Sequence, residues 1–260
     1  MPELAEVKLM SDFINNFKGP FVKTFKSKIT KIDTPDLKNS GILVGANSRG
    51  KELKLSFTSN NKSISYMFTM GMTGNWKIFD SVEHIEKHAH FNTLLGDGRV
   101  LSMVDSRRFA RWKLQSEFSP NRSPDPTENI YKTFISDHKG CKQFDKPVYE
   151  VMMDQRYFNG VGNYLRAEVL YRLGINPFQS LNCVLEKNGE NFVEMCKLVP
   201  LEAYKVGGGE FQSFKNPNST QEMNGGEWMQ CYGKKNMLKM LDSKNRNFWF
   251  DPKWKKYLDK

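Results

Sequence analysis

Cysteine is scarce and scattered. The 260 residues hold four, Cys141, Cys183, Cys196 and Cys231, with no C-x-x-C pair. That spacing suggests neither a disulfide framework nor a four-thiolate zinc site, and a reducing intracellular compartment fits best. Long apolar runs are also missing: nothing approaches the roughly 18 to 20 consecutive apolar residues of a membrane span. The opening Met1-Pro2-Glu3-Leu4-Ala5-Glu6 lacks the charged and apolar regions of a secretion signal. Neither membrane association nor secretion is expected. Acidic residues are in deficit, 29 Asp and Glu against 39 Lys and Arg, a formal charge of +10. With 13% aromatic residues among the basic ones, this surplus points to a polyanion, nucleic acid above all, although charge gives the sign of a partner and not its identity.

A chain of this length buries a full core and suits two modest domains. Leu4, Val7, Leu9, Met10, Phe13, Ile14 and Phe17 recur near every 3.6 residues, which predicts an amphipathic helix over about 3–17. The period then falls to two in Phe21–Phe25, Lys51–Phe57 and Ile64–Met70, with hairpin breaks at Ser59-Asn60-Asn61 and Gly96-Asp97-Gly98. Residues 1–118 therefore read as a helix on a two-layer β-sandwich. Ser119–Pro126 holds three prolines in eight residues, so 119–127 is assigned as a linker. In 128–260, helical periodicity returns at about 128–137, 146–154, 163–173 and 190–204. Val206–Gly226 is rich in Gly, Asn, Ser and Gln and reads as a mobile loop. Asn236–Leu241 and Asn247–Phe250 flank the polar turn Asp242–Arg246, a β-hairpin tip carrying Arg246. The fold class is α+β.

Pro2 is the first residue that could carry chemistry. Once Met1 is removed it is a secondary amine whose low pKa leaves a useful fraction neutral and nucleophilic, and a helix N-terminus lowers that pKa further. It is equally a good first-turn residue. Glu3 and Glu6 lie one turn apart, where a carboxylate also simply suits the helix dipole. An amine and two acids within one turn are what acid–base work beside an imine needs. His84, His88 and His90 group three of the four histidines, and His84 and His88 would share a helical face. No carboxylate pattern accompanies them, and they read as surface.

Four stretches carry a family resemblance: Pro2-Glu3-Leu4-Ala5-Glu6-Val7, Met70-Gly71-Met72-Thr73-Gly74, Asp105-Ser106-Arg107-Arg108-Phe109 and Asn159-Gly160-Val161-Gly162-Asn163-Tyr164-Leu165-Arg166-Ala167-Glu168. Their order and spacing, from residue 2 to about 250, resemble the formamidopyrimidine-DNA glycosylase/endonuclease VIII (Fpg/Nei) family. Gln155-Arg156-Tyr157-Phe158 running into Asn163-Tyr164-Leu165-Arg166 looks like the Nei-like branch found in animals and in a giant virus. After Cys231-Tyr232-Gly233 comes no further cysteine or histidine, so the terminal hairpin, about 228–252, looks like a zincless finger held by Trp249 and Phe250, with no metal ligand set.

The resemblance implies a helix–two-turn–helix domain and a bifunctional DNA glycosylase with AP lyase activity, with no cofactor and acting as a monomer. Its partner would be DNA with an oxidised base or abasic site, duplex or single-stranded. Pro2 would attack C1′, Glu3 would serve as acid–base near the sugar ring oxygen, and Glu6 would hold the amine. Lys51 shares a strand parity with Leu53, Leu55 and Phe57, and would hold a phosphate beside the lesion; alternatively it lies at a frayed strand end. Asn163 and Arg246 would clamp the flanking phosphates, or be a plain N-cap and a solvated turn residue. Met72, Arg107 and Phe109 would fill the void left by the flipped nucleotide; the alternative puts Met72 and Phe109 in the core and Arg107 on the surface. Thr69 stands where the family carries a histidine. A non-catalytic binder of damaged or kinked DNA is the alternative function.

Overall fold

The computed structural model describes residues 2–32, 34–209 and 225–258. The chain forms two compact units, one of Met1–Pro2 with Val7–Ser119 and the other of Glu3–Glu6 with Pro120–Lys260. Helix α1 (Leu4–Asn15) thus contributes its first turn to the second unit and its remainder to the first.

In the first unit, eight strands form one antiparallel sheet: β1 (Gly19–Lys26), β2 (Gly41–Arg49), β3 (Glu52–Ser59), β4 (Lys62–Thr69), β5 (Asn75–Phe79), β6 (Ala89–Leu95), β7 (Val100–Val104) and β8 (Arg111–Leu114). The order is β5-β7-β6-β1-β2-β3-β4-β8. Register shifts at Phe21/Lys23, Leu43/Gly45 and Ala89/Phe91 add the local bends that let one sheet fold onto itself. The two halves meet through aromatic side chains. Phe91 on β6 lies 5.1 Å from both Tyr66 and Phe68 on β4 and 5.8 Å from Trp112 on β8, strands that are not its neighbours in the sheet. Alternation in β3 buries Leu53, Leu55 and Phe57 on this inner face. Asn15 ties α1 to β2, its side-chain amide exchanging hydrogen bonds with both backbone groups of Ala46.

The second unit contains α2 (Tyr131–Asp137), α3 (Val148–Val151), α4 (Asn163–Arg172), α5 (Leu181–Lys205) and α6 (Gly225–Trp228), then the hairpin β9 (Leu238–Leu241) and β10 (Asn247–Phe250). Its core gathers Tyr164, Leu165 and Val169 of α4 with Val184, Phe192, Val193 and Cys196 of α5, and includes Leu4 and Ala5. The helix expected from residue 190 begins earlier, at Leu181 behind the Ser180 cap, and is interrupted at Asn188, whose φ of −143° is not helical. The expected 146–154 helix shrinks to one turn, because Met152–Asp154 close into turns instead. Most of the expected Val206–Gly226 loop lies outside the described residues.

Candidate active site

The first turn of α1 is built around two buried acids. Glu3, the residue before the helix, has 2% of its surface exposed and Glu6 has 1%. Glu6 reaches back so that its Oε2 accepts the Glu3 N–H at 2.8 Å, one half of a capping box. The Glu3 side chain caps a different helix. Oε2 accepts from the N–H groups of Gly162 at 2.7 Å and Leu165 at 3.3 Å, and Oε1 from that of Tyr164 at 3.1 Å. These are donors of the first turn of α4, which has no preceding turn of carbonyls to accept them and where the helix dipole also favours an anion. Gly162 is needed for the approach, since a Cβ there would collide with the Glu3 carboxylate.

Glu6 has its own setting. The Tyr164 hydroxyl donates to it at 3.0 and 3.1 Å, and the Gly209 N–H donates to Oε1 at 2.7 Å. Gly208, at φ +97°, leaves room that a Cβ would fill at 2.7 Å from Glu6 Oε1. Pro2 is buried and directly precedes these acids in the chain. Tyr164 and the 208–209 glycines were not singled out from sequence; a tyrosine two residues after the Gly160–Gly162 turn is the one signal that could have pointed to them.

Asn163 does not cap α4. Gly162 holds the N-cap position and Asn163 is the first helical residue, its Oδ1 accepting from Arg166 Nη2 at 3.0 Å. The cap expected of Asn163 is supplied by Glu3. Arg246 lies at the hairpin turn as expected, with Nε donating to Asp242 Oδ2 at 2.8 Å. The hairpin is held by Phe248 and Phe250, both buried, rather than by Trp249 and Phe250. Alternation dictates this, because residues two apart share a face and Trp249 points the other way, towards Lys239. Cys231 is buried, and burial, with Glu168 and Asp251 nearby, pushes its thiol up to about 12. Glu168 accepts the N–H groups of Gln230, Cys231 and Tyr232, each at 2.9 Å. Among the described residues, no group of three His, Cys, Asp or Glu side chains is placed to hold a metal ion.

The first unit holds the remaining candidates. Lys51 is not on a strand: β2 turns at Gly50, with φ +56°, and β3 starts only at Glu52, so the alternation that assigned Lys51 to the apolar face does not extend to it. It lies half-buried in the turn. Met72 and Phe109 are 42% and 45% exposed, which excludes a place in the core, and the Arg107 guanidinium lies 4.6 Å from the Phe109 ring centre. Their two loops are joined. Thr73 donates to Asp105 Oδ1, the N–H groups of Arg107 and Ala110 donate to the same carboxylate at 3.2 and 2.7 Å, and a Cβ on Gly71 would lie 2.7 Å from Phe109 Cβ. Burial opposes charge on Asp105, but these donors outweigh it and hold its pKa below the usual carboxylate value. His84 and His88 share no helix: Val82–His84 is a short 3-10 turn, while His90 lies in β6 with Nε2 bonded to the Asp105 carbonyl at 2.9 Å.

The sequence model of the formamidopyrimidine-DNA glycosylase N-terminal domain matches residues 1–112. Endonuclease 8-like 1 of Homo sapiens is 30% identical over 284 residues, covering 96% of this chain and 72% of that protein. The Mus musculus protein of the same name is 32% identical over 289 residues, with the same coverage. This chain belongs to the Fpg/Nei family. Solved members of the Fpg/Nei family share its fold. The MutM (Fpg) protein of Thermus thermophilus superposes with a TM-score of 0.78 at 21% identity, covering 97% of this chain and 98% of that one. Lactococcus lactis Fpg, in complex with DNA containing an abasic site, gives 0.79 at 20% identity, covering 97% and 98%. The N-terminal helix, antiparallel sandwich and helical second half expected from sequence are those of this family.

Proposed function

We propose that this protein is a DNA glycosylase with AP lyase activity that excises oxidised bases, mainly pyrimidines and also hydantoins, from damaged DNA. The observation that carries the reading is the pair of buried acids, Glu3 and Glu6, fixed immediately after Pro2 by donors from Gly162, Tyr164, Leu165 and Gly209. Preorganised acids beside an amine lower the barrier to imine chemistry without rearranging during the reaction.

With Met1 removed, the Pro2 nitrogen lone pair attacks C1′ of a nucleotide rotated out of the stack. The new N–C1′ bond forms as the bond from C1′ to the base breaks, and the base leaves with a proton that balances the one the Pro2 nitrogen gives up. Glu3 moves the proton that opens the sugar ring at its oxygen, giving an iminium between Pro2 and C1′. Loss of a C2′ proton then expels the 3′ phosphate, and a second elimination expels the 5′ phosphate, leaving a one-nucleotide gap. Glu6, oriented by Tyr164 and Gly209, holds the amine. Lys51 binds a phosphate beside the lesion, while Asn163 and Arg246 clamp the flanking phosphates. Met72 and Phe109 offer exposed apolar surface for the vacated stack, and Arg107 offers donors for the orphaned base.

The test is a duplex containing 5-hydroxyuracil or thymine glycol, end-labelled on the damaged strand. The expected result is base release followed by strand scission with phosphate at both ends of the gap. Tight binding with no scission on either lesion or on an abasic site would leave a binder of damaged DNA and overturn the enzymatic reading.

A further inference from the structure

Arg166 and Asp242 form an ion pair in which neither side chain has any solvent exposure, Nη1 to Oδ2 at 3.0 Å. Arg166 Nη1 also donates to the Tyr149 carbonyl at 3.0 Å, and the guanidinium lies 4.9 Å from the Phe248 ring centre. Its Nη2 donates to Asn163 Oδ1 at 3.0 Å. Asp242 accepts from Arg246 Nε at 2.8 Å and from the N–H groups of Lys244 and Arg246 at 2.9 Å. One buried pair therefore grips the side chain that opens α4 and the side chain at the hairpin tip.

Burying two charges is costly, and apolar residues of similar size commonly give equal or better stability, so packing alone is a poor account of the pair. What apolar residues could not supply is orientation. A phosphate oxygen only accepts, whereas an asparagine amide has an accepting and a donating end and can turn either towards it. Because Arg166 occupies Oδ1, the Nδ2 donors of Asn163 face the other way. Because Asp242 occupies Nε of Arg246, the two terminal nitrogens of that guanidinium remain for an anion.

We propose that Arg166 and Asp242 are positioning residues that present Asn163 and Arg246 to DNA phosphates as donors only. This rests on the reading of Asn163 and Arg246 as a phosphate clamp. Neither Arg166 nor Asp242 touches the phosphate in this scheme; each acts through its neighbour.

The experiment measures binding of the full chain to a duplex carrying a tetrahydrofuran abasic-site analogue, by fluorescence anisotropy across a range of salt concentrations. The variants are Asn163→Ala, Arg246→Ala, Arg166→Lys, Asp242→Asn and the doubles Asn163→Ala/Arg166→Lys and Arg246→Ala/Asp242→Asn. Lysine can keep the charge beside Asp242 but lacks the planar fork that also reaches Asn163. Asp242→Asn keeps shape should the lysine variant not fold, and denaturation curves identify which variants are native. Each alanine variant is expected to weaken binding roughly tenfold, and Arg246→Ala, which removes a cation, also to reduce the salt slope by about one. Arg166→Lys and Asp242→Asn should weaken binding to a similar extent, and the loss should largely vanish when the partner alanine is already present. If the alanine variants change neither affinity nor slope, the clamp reading fails and the positioning role falls with it. If they weaken binding but Arg166→Lys and Asp242→Asn are neutral, or add their full loss in the doubles, the clamp stands and the positioning role is overturned.

Discussion

Glu3 Oε2 lies 2.7 Å from the backbone nitrogen of Gly162, so the acid that precedes α1 caps a helix whose own N-cap residue stands 159 positions further along the chain. This contact anchors the Glu3 carboxylate, and it depends on Gly162 having no side chain.

Gly162→Ala should therefore act through Glu3. Gly162 has φ −135° and ψ −154°, extended values that alanine can adopt, so the cost comes from the collision with the Glu3 carboxylate and not from backbone strain. We expect base excision to fall at least tenfold, roughly the effect of an ångström-scale misplacement, with a smaller drop in melting temperature. Excision kinetics beside a thermal melt check it; unchanged kinetics would separate Glu3 from the reaction.

Glu3→Gln should divide the two activities. The amide keeps one acceptor oxygen but turns donors towards the α4 N–H groups, and it cannot take or give the proton assigned to Glu3. Base excision should be largely lost while cleavage of a pre-formed abasic site survives, because that sugar is a hemiacetal already in exchange with its open aldehyde and needs no proton from Glu3 to open its ring. Single-turnover rates on both substrates measure this, and equal loss on both would remove the role.

Much of this was legible in the chain. Period-3.6 and period-2 patterns found α1, the β1, β3 and β4 strands and the hairpin, and the Pro2–Val7 and Asn159–Glu168 stretches carried the family. Parity puts Lys51 on the strand, yet it says nothing about where a hairpin turns, and that depends on Gly50 and its positive φ. A run of three aromatic residues does not reveal which parity faces inward, and here Phe248 does the packing that the sequence suggests for Trp249. The Asp242–Arg166 pair could not be read at all: a pairing across 76 residues leaves no local trace.

Stability of the first unit should fall with acid in a defined way. His90 is buried, and burial pushes its pKa below the usual 6.5 despite the raising effect of the Asp105 carbonyl and carboxylate; His88 and Arg108 add to the lowering. The unfolded chain then binds the proton more readily than the folded one, so this stabilisation is complete above about 6.5 and is lost as pH falls through the folded value. Asp105, also lowered, gives a second loss at lower pH, below 3.8. Melting temperature should decline between about pH 7.5 and 5, and His90→Gln should flatten that decline while leaving the acid limb. A wild-type profile flat across this range would contradict the neutral, buried His90.

Chelation should do nothing. Cys231 is buried with its thiol pushed up to about 12, the segment around it is held by the Glu168 carboxylate, and the hairpin buries Phe248 and Phe250. Dialysis against a strong chelator should leave circular dichroism, melting temperature and DNA cleavage unchanged. A loss restored by zinc would mean a ligand set outside the described residues.

The most direct test of the whole account is borohydride trapping on a thymine-glycol duplex, comparing protein with a free Pro2 amine against the same chain carrying an N-terminal tag that leaves Pro2 as an amide. Reduction of an iminium between Pro2 and C1′ should give a covalent protein–DNA complex with the free amine alone. A complex formed equally by the tagged protein, or none from either while both cut the strand, would contradict Pro2 as the nucleophile.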